Sequence, residues 1–152
     1  MLLITHYMAK LLTCAVMITA LLLTCSPVAM SKTITLRTHS VEEFQDTARQ
    51  RFWQVNRSKK IKTIEEVSAY LTTLNQGKYD DWRLPTKLEL FQLFSDFDLK
   101  RNGNLKIRLE GSYWLLDDMG QAHVGAWEIG DQCGPSRTFY KGKAGYLRAI
   151  RP

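Results

Sequence analysis

The sequence predicts an α+β domain in which two main helices pack on an antiparallel β-sheet. Two Thr-x-x-Glu pairs, Thr63 with Glu66 and Thr86 with Glu89, each precede an apolar stretch with helical spacing. After Asn104 the spacing changes to short apolar or alternating runs parted by glycines, the pattern of antiparallel strands. The composition permits such a core: among 152 residues 45% are hydrophobic and 11% aromatic, with only 9 Gly and 4 Pro. That mixture excludes collagen-like, low-complexity and disordered classes and fits one domain.

Lys10 is the only charged residue before Lys32, and the run Leu11 to Leu23 has the length of a signal-peptide apolar core. Pro27 breaks the run, and Ala29 and Ser31 place small residues where a signal peptidase reads, so residues 1–31 are expected to be removed by cleavage after Ser31. Met8-Ala9-Lys10 makes a more natural start than Met1. An uncleaved anchor is one alternative. A lipoprotein anchored at Cys25 is the other, although Thr24 stands where a lipobox carries Gly, Ala or Ser. Export to the periplasm or beyond the cell is the expectation. The domain then spans residues 32–152, and with Cys14 and Cys25 in the leader only Cys133 remains, so packing rather than an internal disulfide must supply stability.

Thr33 to Arg37 alternates Thr with Ile and Leu and reads as a strand, as does Arg51 to Asn56. Between them, Ser40 followed by Glu43 suggests a cap for a short helix over Val41 to Gln50. The first main helix is expected over Ile64 to Asn75, with Ile64, Val67, Leu71 and Leu74 on one face and Asn75 and Gly77 as its stop. Pro85 and Thr86 open the second, which carries Leu88, Phe91, Leu93, Phe94 and Phe97 and ends near Lys100 to Gly103. Strands follow at Ser112 to Leu116, Ala122 to Ile129, Arg137 to Tyr140 and Tyr146 to Ile150, with Asp117 to Gly120 as the turn between the first two.

The string Asp81-Trp82-Arg83-Leu84-Pro85-Thr86 followed by Glu89-Leu90 resembles the signature of the Lcl C-terminal domain family. Trp53, Ala69-Tyr70, Tyr113-Trp114 and the closing Tyr146-Leu147-Arg148-Ala149-Ile150-Arg151 extend the resemblance over residues 50–152. It implies a C-type-lectin-like fold in an exported bacterial protein. Many members of that family carry one cysteine in the helix and another in the closing motif, where this chain has Leu71 and Ala149. The joint loss resembles replacement of a disulfide by apolar packing. Calcium-dependent sugar binding does not come with the resemblance, because the Glu-Pro-Asn, Gln-Pro-Asp and Trp-Asn-Asp strings it relies on are absent.

The signature also has a reading that needs no ligand. Trp82 is expected to be buried where helices meet sheet, Arg83 to pair with Glu89 or a carbonyl, Pro85 and Thr86 to open a helix, and Arg148 and Arg151 to belong to the scaffold. No metal or cofactor is expected: His39 and His123 have no zinc spacing. Asp96, Asp98, Asn102 and Asn104 fall short of a calcium loop, with Lys100 and Arg101 inside the run, and read as a solvated turn. The one enzymatic alternative pairs Cys133, in a Gly-rich turn, with His123 as base, and it has no third orienting group.

Charge supplies the leading functional reading. Lys and Arg number 21 against 15 Asp and Glu, and Arg49, Arg51, Arg57, Lys59, Lys60 and Lys62 follow one another with no acid between them. Such a field suits an anionic polysaccharide or an envelope protein. Nucleic acid is disfavoured, since only Trp53 is interleaved with these charges as a stacking platform. Arg57, Lys59, Lys60 and Lys62 are the first candidate contacts, and the segment Lys100 to Gly111, bearing Lys100, Arg101, Lys106 and Arg108, forms a second candidate surface. A non-enzymatic binding domain is therefore expected, with a structural subunit of an envelope assembly as the alternative.

Overall fold

Two antiparallel sheets and two helices make up the α+β fold in a computed structural model that describes residues 33–129 and 137–152. The expected leader over residues 1–31, with the cleavage site and Cys25, and the turn containing Cys133 lie outside the described residues.

The first sheet has the order β1-β2-β3-β7, formed by Leu36–Thr38, Glu43–Asp46, Arg51–Gln54 and Ile150–Arg151. The helix expected over Val41 to Gln50 is instead the β2-β3 hairpin. Ser40 Oγ does accept the N–H groups of Glu42 and Glu43, but this cap opens a strand. Side-chain pairing across the sheet decides the matter: Phe44 stands opposite Trp53 in the register, and their rings lie 6.4 Å apart and nearly parallel. The turn is closed by Asp46 Oδ1, which accepts from Ala48 and Arg49, and by Gln50 at φ 55°.

Helix α1, Ile64–Asn75, and helix α2, Lys87–Asp98, both begin with the capping boxes expected from Thr63/Glu66 and Thr86/Glu89. The inward face of α2 is Leu90, Leu93 and Phe94, whereas Leu88 is 62% exposed, two positions before Leu90 and so on the other side of the helix. In α1, Val67 is buried and Leu71 and Leu74 half-buried, while Ile64 remains exposed.

The second sheet, β4-β5-β6, comprises Tyr113–Leu116, Ala122–Ile129 and Arg137–Gly142. The strand expected from Tyr146 to Ile150 shortens, because this segment passes from one sheet to the other. Tyr146 bridges Tyr113 beside β4, and Ile150 and Arg151 pair with Trp53 and Phe52 as β7. The apolar residues form two clusters, one around Phe44, Trp53, Leu90, Phe94 and Tyr113 and the other around Val67, Trp82, Trp114, Leu147 and Ala149. Leu71 and Ala149, which stand where the resemblance implies a cysteine pair, both pack in the second cluster.

Gly125 of β5 faces the Phe139 ring so closely that an added Cβ falls 2.0 Å from it. The ring is held in turn by Trp127 at 4.9 Å. Gly125→Ala is expected to cost about 1–3 kcal/mol by displacing that ring. Urea denaturation checks this, and an unchanged midpoint would show that the ring moves freely.

Candidate functional site

The Trp-Arg-Leu-Pro-Thr segment is tied into the fold along its length. Asn75 at the end of α1 clasps the Trp82 backbone, its Nδ2 donating to the Trp82 carbonyl and its Oδ1 accepting from the Trp82 N–H. Arg83 exchanges backbone hydrogen bonds with Ile150, and its guanidinium donates to both oxygens of Glu89 at 2.8 Å. The Pro85 carbonyl accepts from Leu116, tying the entry of α2 to β4. Arg151 donates to the buried carboxylate of Glu43 at 3.0 Å and lies over the Tyr79 ring at 3.6 Å.

Glu89 is held by more than its capping role. Burial pushes its carboxyl up, but the Arg83 hydrogen bonds, the Thr86 N–H and the charges of Arg83 and Arg51 outweigh burial and hold it at about 2. Because the folded value lies below the ordinary 4.5, the stabilisation is complete above that value and lost as pH falls from 4.5 toward 2. Arg83 is partly solvated, so screening trims the contribution to about 2 kcal/mol. Stability is expected to fall across that window, and Glu89→Gln to flatten this component, as urea midpoints against pH would show.

Away from this staple, the chain builds a basic groove of about 640 Å³ from three segments. Val55 to Ser58, after β3, forms one wall; Lys106 to Arg108 forms the other; Tyr146 and Arg148 complete the lining. The second wall follows from an alternating stretch: Leu105 is buried and Ile107 and Leu109 pack on the core, which sends Lys106 and Arg108 to the exposed side. Four cationic side chains, Arg57, Lys106, Arg108 and Arg148, line the groove, and no acidic residue does.

Two arginines bind the walls together. The Arg148 side chain, 1% exposed, donates from Nη1 to the carbonyls of Gln54 and Val55 and from Nη2 to the Arg108 carbonyl at 2.8 Å. No carboxylate pairs with it among the described residues, and its buried Nε has no hydrogen-bond partner. Burial accordingly pushes its pKa below the ordinary arginine value. Arg57 donates to the Glu110 carbonyl and to the Tyr113 hydroxyl, and its guanidinium lies 3.7 Å from the Tyr146 ring centroid. The Tyr113 hydroxyl donates onward to the Arg108 carbonyl at 2.9 Å.

Of the eight cations expected on the two candidate surfaces, the structure brings Arg57, Lys106 and Arg108 into the groove. Lys59, Lys60 and Lys62 are exposed beyond it, on a segment anchored through Ser58 to Leu147 and through Ile61 to Gly145. Lys100 is exposed at φ 53°, and Arg101 lies 3.7 Å from Asp96. Asp96 itself is buried and also paired with Arg49 at 2.8 Å, while the turn that follows it, with Lys100, Arg101 and Asn104, is exposed as expected. Sequence reasoning placed Arg148 in the scaffold alone; the signal available was an arginine between apolar Leu147 and Ala149, which must bury its head group. Arg49 and Arg51, part of the same basic run, face Asp46, Asp96 and Glu89.

His123 lies with Nδ1 3.5 Å from the Asp117 carboxylate in the β4-β5 turn, while Cys133 lies outside the described residues. No group of three or more His, Cys, Asp or Glu side chains able to hold a metal occurs among the described residues. Nor is any described helix long and apolar enough to cross a membrane. Comparison with family models, curated proteins and solved structures finds no match.

Proposed function

We propose that this chain is an exported, non-enzymatic binding domain, similar to the Lcl C-terminal domain family and C-type-lectin-like in fold, that takes an anionic glycan in its basic groove. The observation that carries the reading is the lining itself: four cations converge on one concavity without an acidic side chain. An isolated surface lysine is neutralised by water and salt, whereas cations on the walls of a shared concavity reinforce one another toward an anion placed between them. Arg148 adds a charge held in a region of low polarity, where its field is screened less. Arg57 and Arg148 also hold the walls in place before a ligand arrives, so little ordering is required on binding.

The charge-free apolar run from Leu11 to Leu23 supports the proposal of export, and the exposed Lys59, Lys60 and Lys62 extend the positive field beyond the groove. The test is chromatography of the protein on a sulfated polysaccharide matrix and on a neutral glycan matrix, each eluted with salt. Retention on the sulfated matrix alone at physiological salt is expected. Equal passage through both would contradict the reading and direct attention to a protein partner.

A further inference from the structure

We infer that Arg57 orients the ligand in the groove, by clamping two oxygens of one oxyanion group on the Nε–Nη2 edge of its guanidinium. This rests on the groove reading above and names the contact that gives it direction. Both hydrogens of Arg57 Nη1 are engaged, one by the Glu110 carbonyl and one by the Tyr113 hydroxyl. Nη1 stands on the Cδ side of the head group, so the edge left over is Nε with Nη2, the side-on fork that receives an oxyanion through two parallel hydrogen bonds. Neither of these nitrogens is hydrogen-bonded to a described residue, and no carboxylate among the described residues pairs with Arg57. Both are open to solvent: the buried polar atoms without a partner include Nε of Arg148 and of Arg151, but no nitrogen of Arg57.

The fork is also held in place. Two acceptors fix Nη1, and the Tyr146 ring lies against the guanidinium with its centroid at 3.7 Å. Tyr146 lines the groove and not the neighbouring cavity of about 310 Å³ that Arg57 also touches, which puts the head group on the groove side. An arginine pinned in this way gives up little side-chain freedom on binding and sets the plane in which the oxygens of the ligand must lie. Lys106 and Arg108 differ: their side chains are exposed and have no partner among the described residues, so they add attraction without direction. A uronate carboxylate and a sulfate ester both offer the pair of oxygens that the fork requires.

The experiment follows the arginine Nε–H signals of the protein in proton–nitrogen correlation spectra during titration with two oligosaccharides of equal length, one carrying uronates and no sulfate, the other sulfate esters and no uronate. The Arg57 Nε–H signal is expected to move with at least one chain, which identifies the oxyanion, while that of the buried Arg148 stays in place. Arg57→Lys, which keeps the charge and loses the fork, is expected to bind that chain about ten-fold more weakly, whereas Lys106→Arg should change its affinity by less than about two-fold. Groove amides that shift while the Arg57 Nε–H signal stays still, or an Arg57→Lys variant that binds as tightly as the unaltered protein, would overturn the clamp and leave the groove reading standing. Binding of neither chain would overturn both.

Discussion

Arg148→Met is expected to unfold a large fraction of the molecules at moderate urea, with a loss of about 3 kcal/mol. Two opposing terms set that value. Methionine removes a guanidinium buried without a carboxylate, and the relief of its desolvation is worth several kcal/mol in isolation. Against this, the carbonyls of Gln54, Val55 and Arg108 lose a charged donor, and each buried acceptor left without one costs about 1–3 kcal/mol. The second term wins because one planar head group serves three acceptors on two chain segments, which no water of similar size can span. Arg148→Lys keeps the charge and is expected to fall between, since a single ammonium cannot reach both walls in the same geometry. Equal urea midpoints for the methionine variant and the unaltered protein would show that the groove walls stand without this arginine.

The second large effect is on binding. Lys106→Glu combined with Arg108→Glu reverses two exposed charges that line the groove but anchor nothing through their side chains. At distances near 7 Å in water, each unit of charge change is worth about 0.6 kcal/mol, so the double reversal is expected to cost about 2 kcal/mol, roughly 30-fold in affinity. The loss should shrink as salt rises and nearly vanish near 1 M, where the screening length falls to about 3 Å. Lys59→Glu with Lys60→Glu changes as much charge outside the groove and should weaken binding by no more than about three-fold. Comparable losses from the two double variants would mean that the attraction is a diffuse surface field rather than a site.

The contrast between those two pairs of cations bears on how much of the molecule could be read from its sequence. The starts of both helices were legible to the residue, because Thr63/Glu66 and Thr86/Glu89 act locally: the cap and its partner sit within one turn and need nothing from the rest of the chain, whereas the second helix stops at Asp98, short of the end expected near Lys100 to Gly103. The bond between Arg83 and Glu89 was legible for the same reason. The hairpin over Glu43 to Gln54 was not, since Ser40 supplies a cap compatible with either outcome and the choice lies with Phe44 packing on Trp53. Two sheets rather than one also escaped local reasoning. Nothing within Tyr146 to Arg151 announces that its start bridges β4 while its end pairs with β3.

The candidate site divides in the same way. Charge density along the chain pointed to Arg57 and, separately, to Lys106 and Arg108, but sequence distance hides that these segments face each other across one groove. It also overweighted Lys59, Lys60 and Lys62, which are contiguous in sequence but point to no shared concavity. Arg49, Arg51 and Arg101 were counted as free charge, yet Asp46, Glu89 and Asp96 engage them within the fold. What remained available to a ligand was decided by which arginines already had carboxylate partners.

The most direct test follows the backbone amide signals of the protein during titration with a defined sulfated oligosaccharide. The account predicts that the largest shifts fall at Asn56, Arg57, Ser58, Lys106, Ile107 and Arg108, with smaller ones at Lys59 and Lys60. Shifts confined to the exposed lysines, or spread evenly over the basic surface while the groove amides stay still, would contradict it.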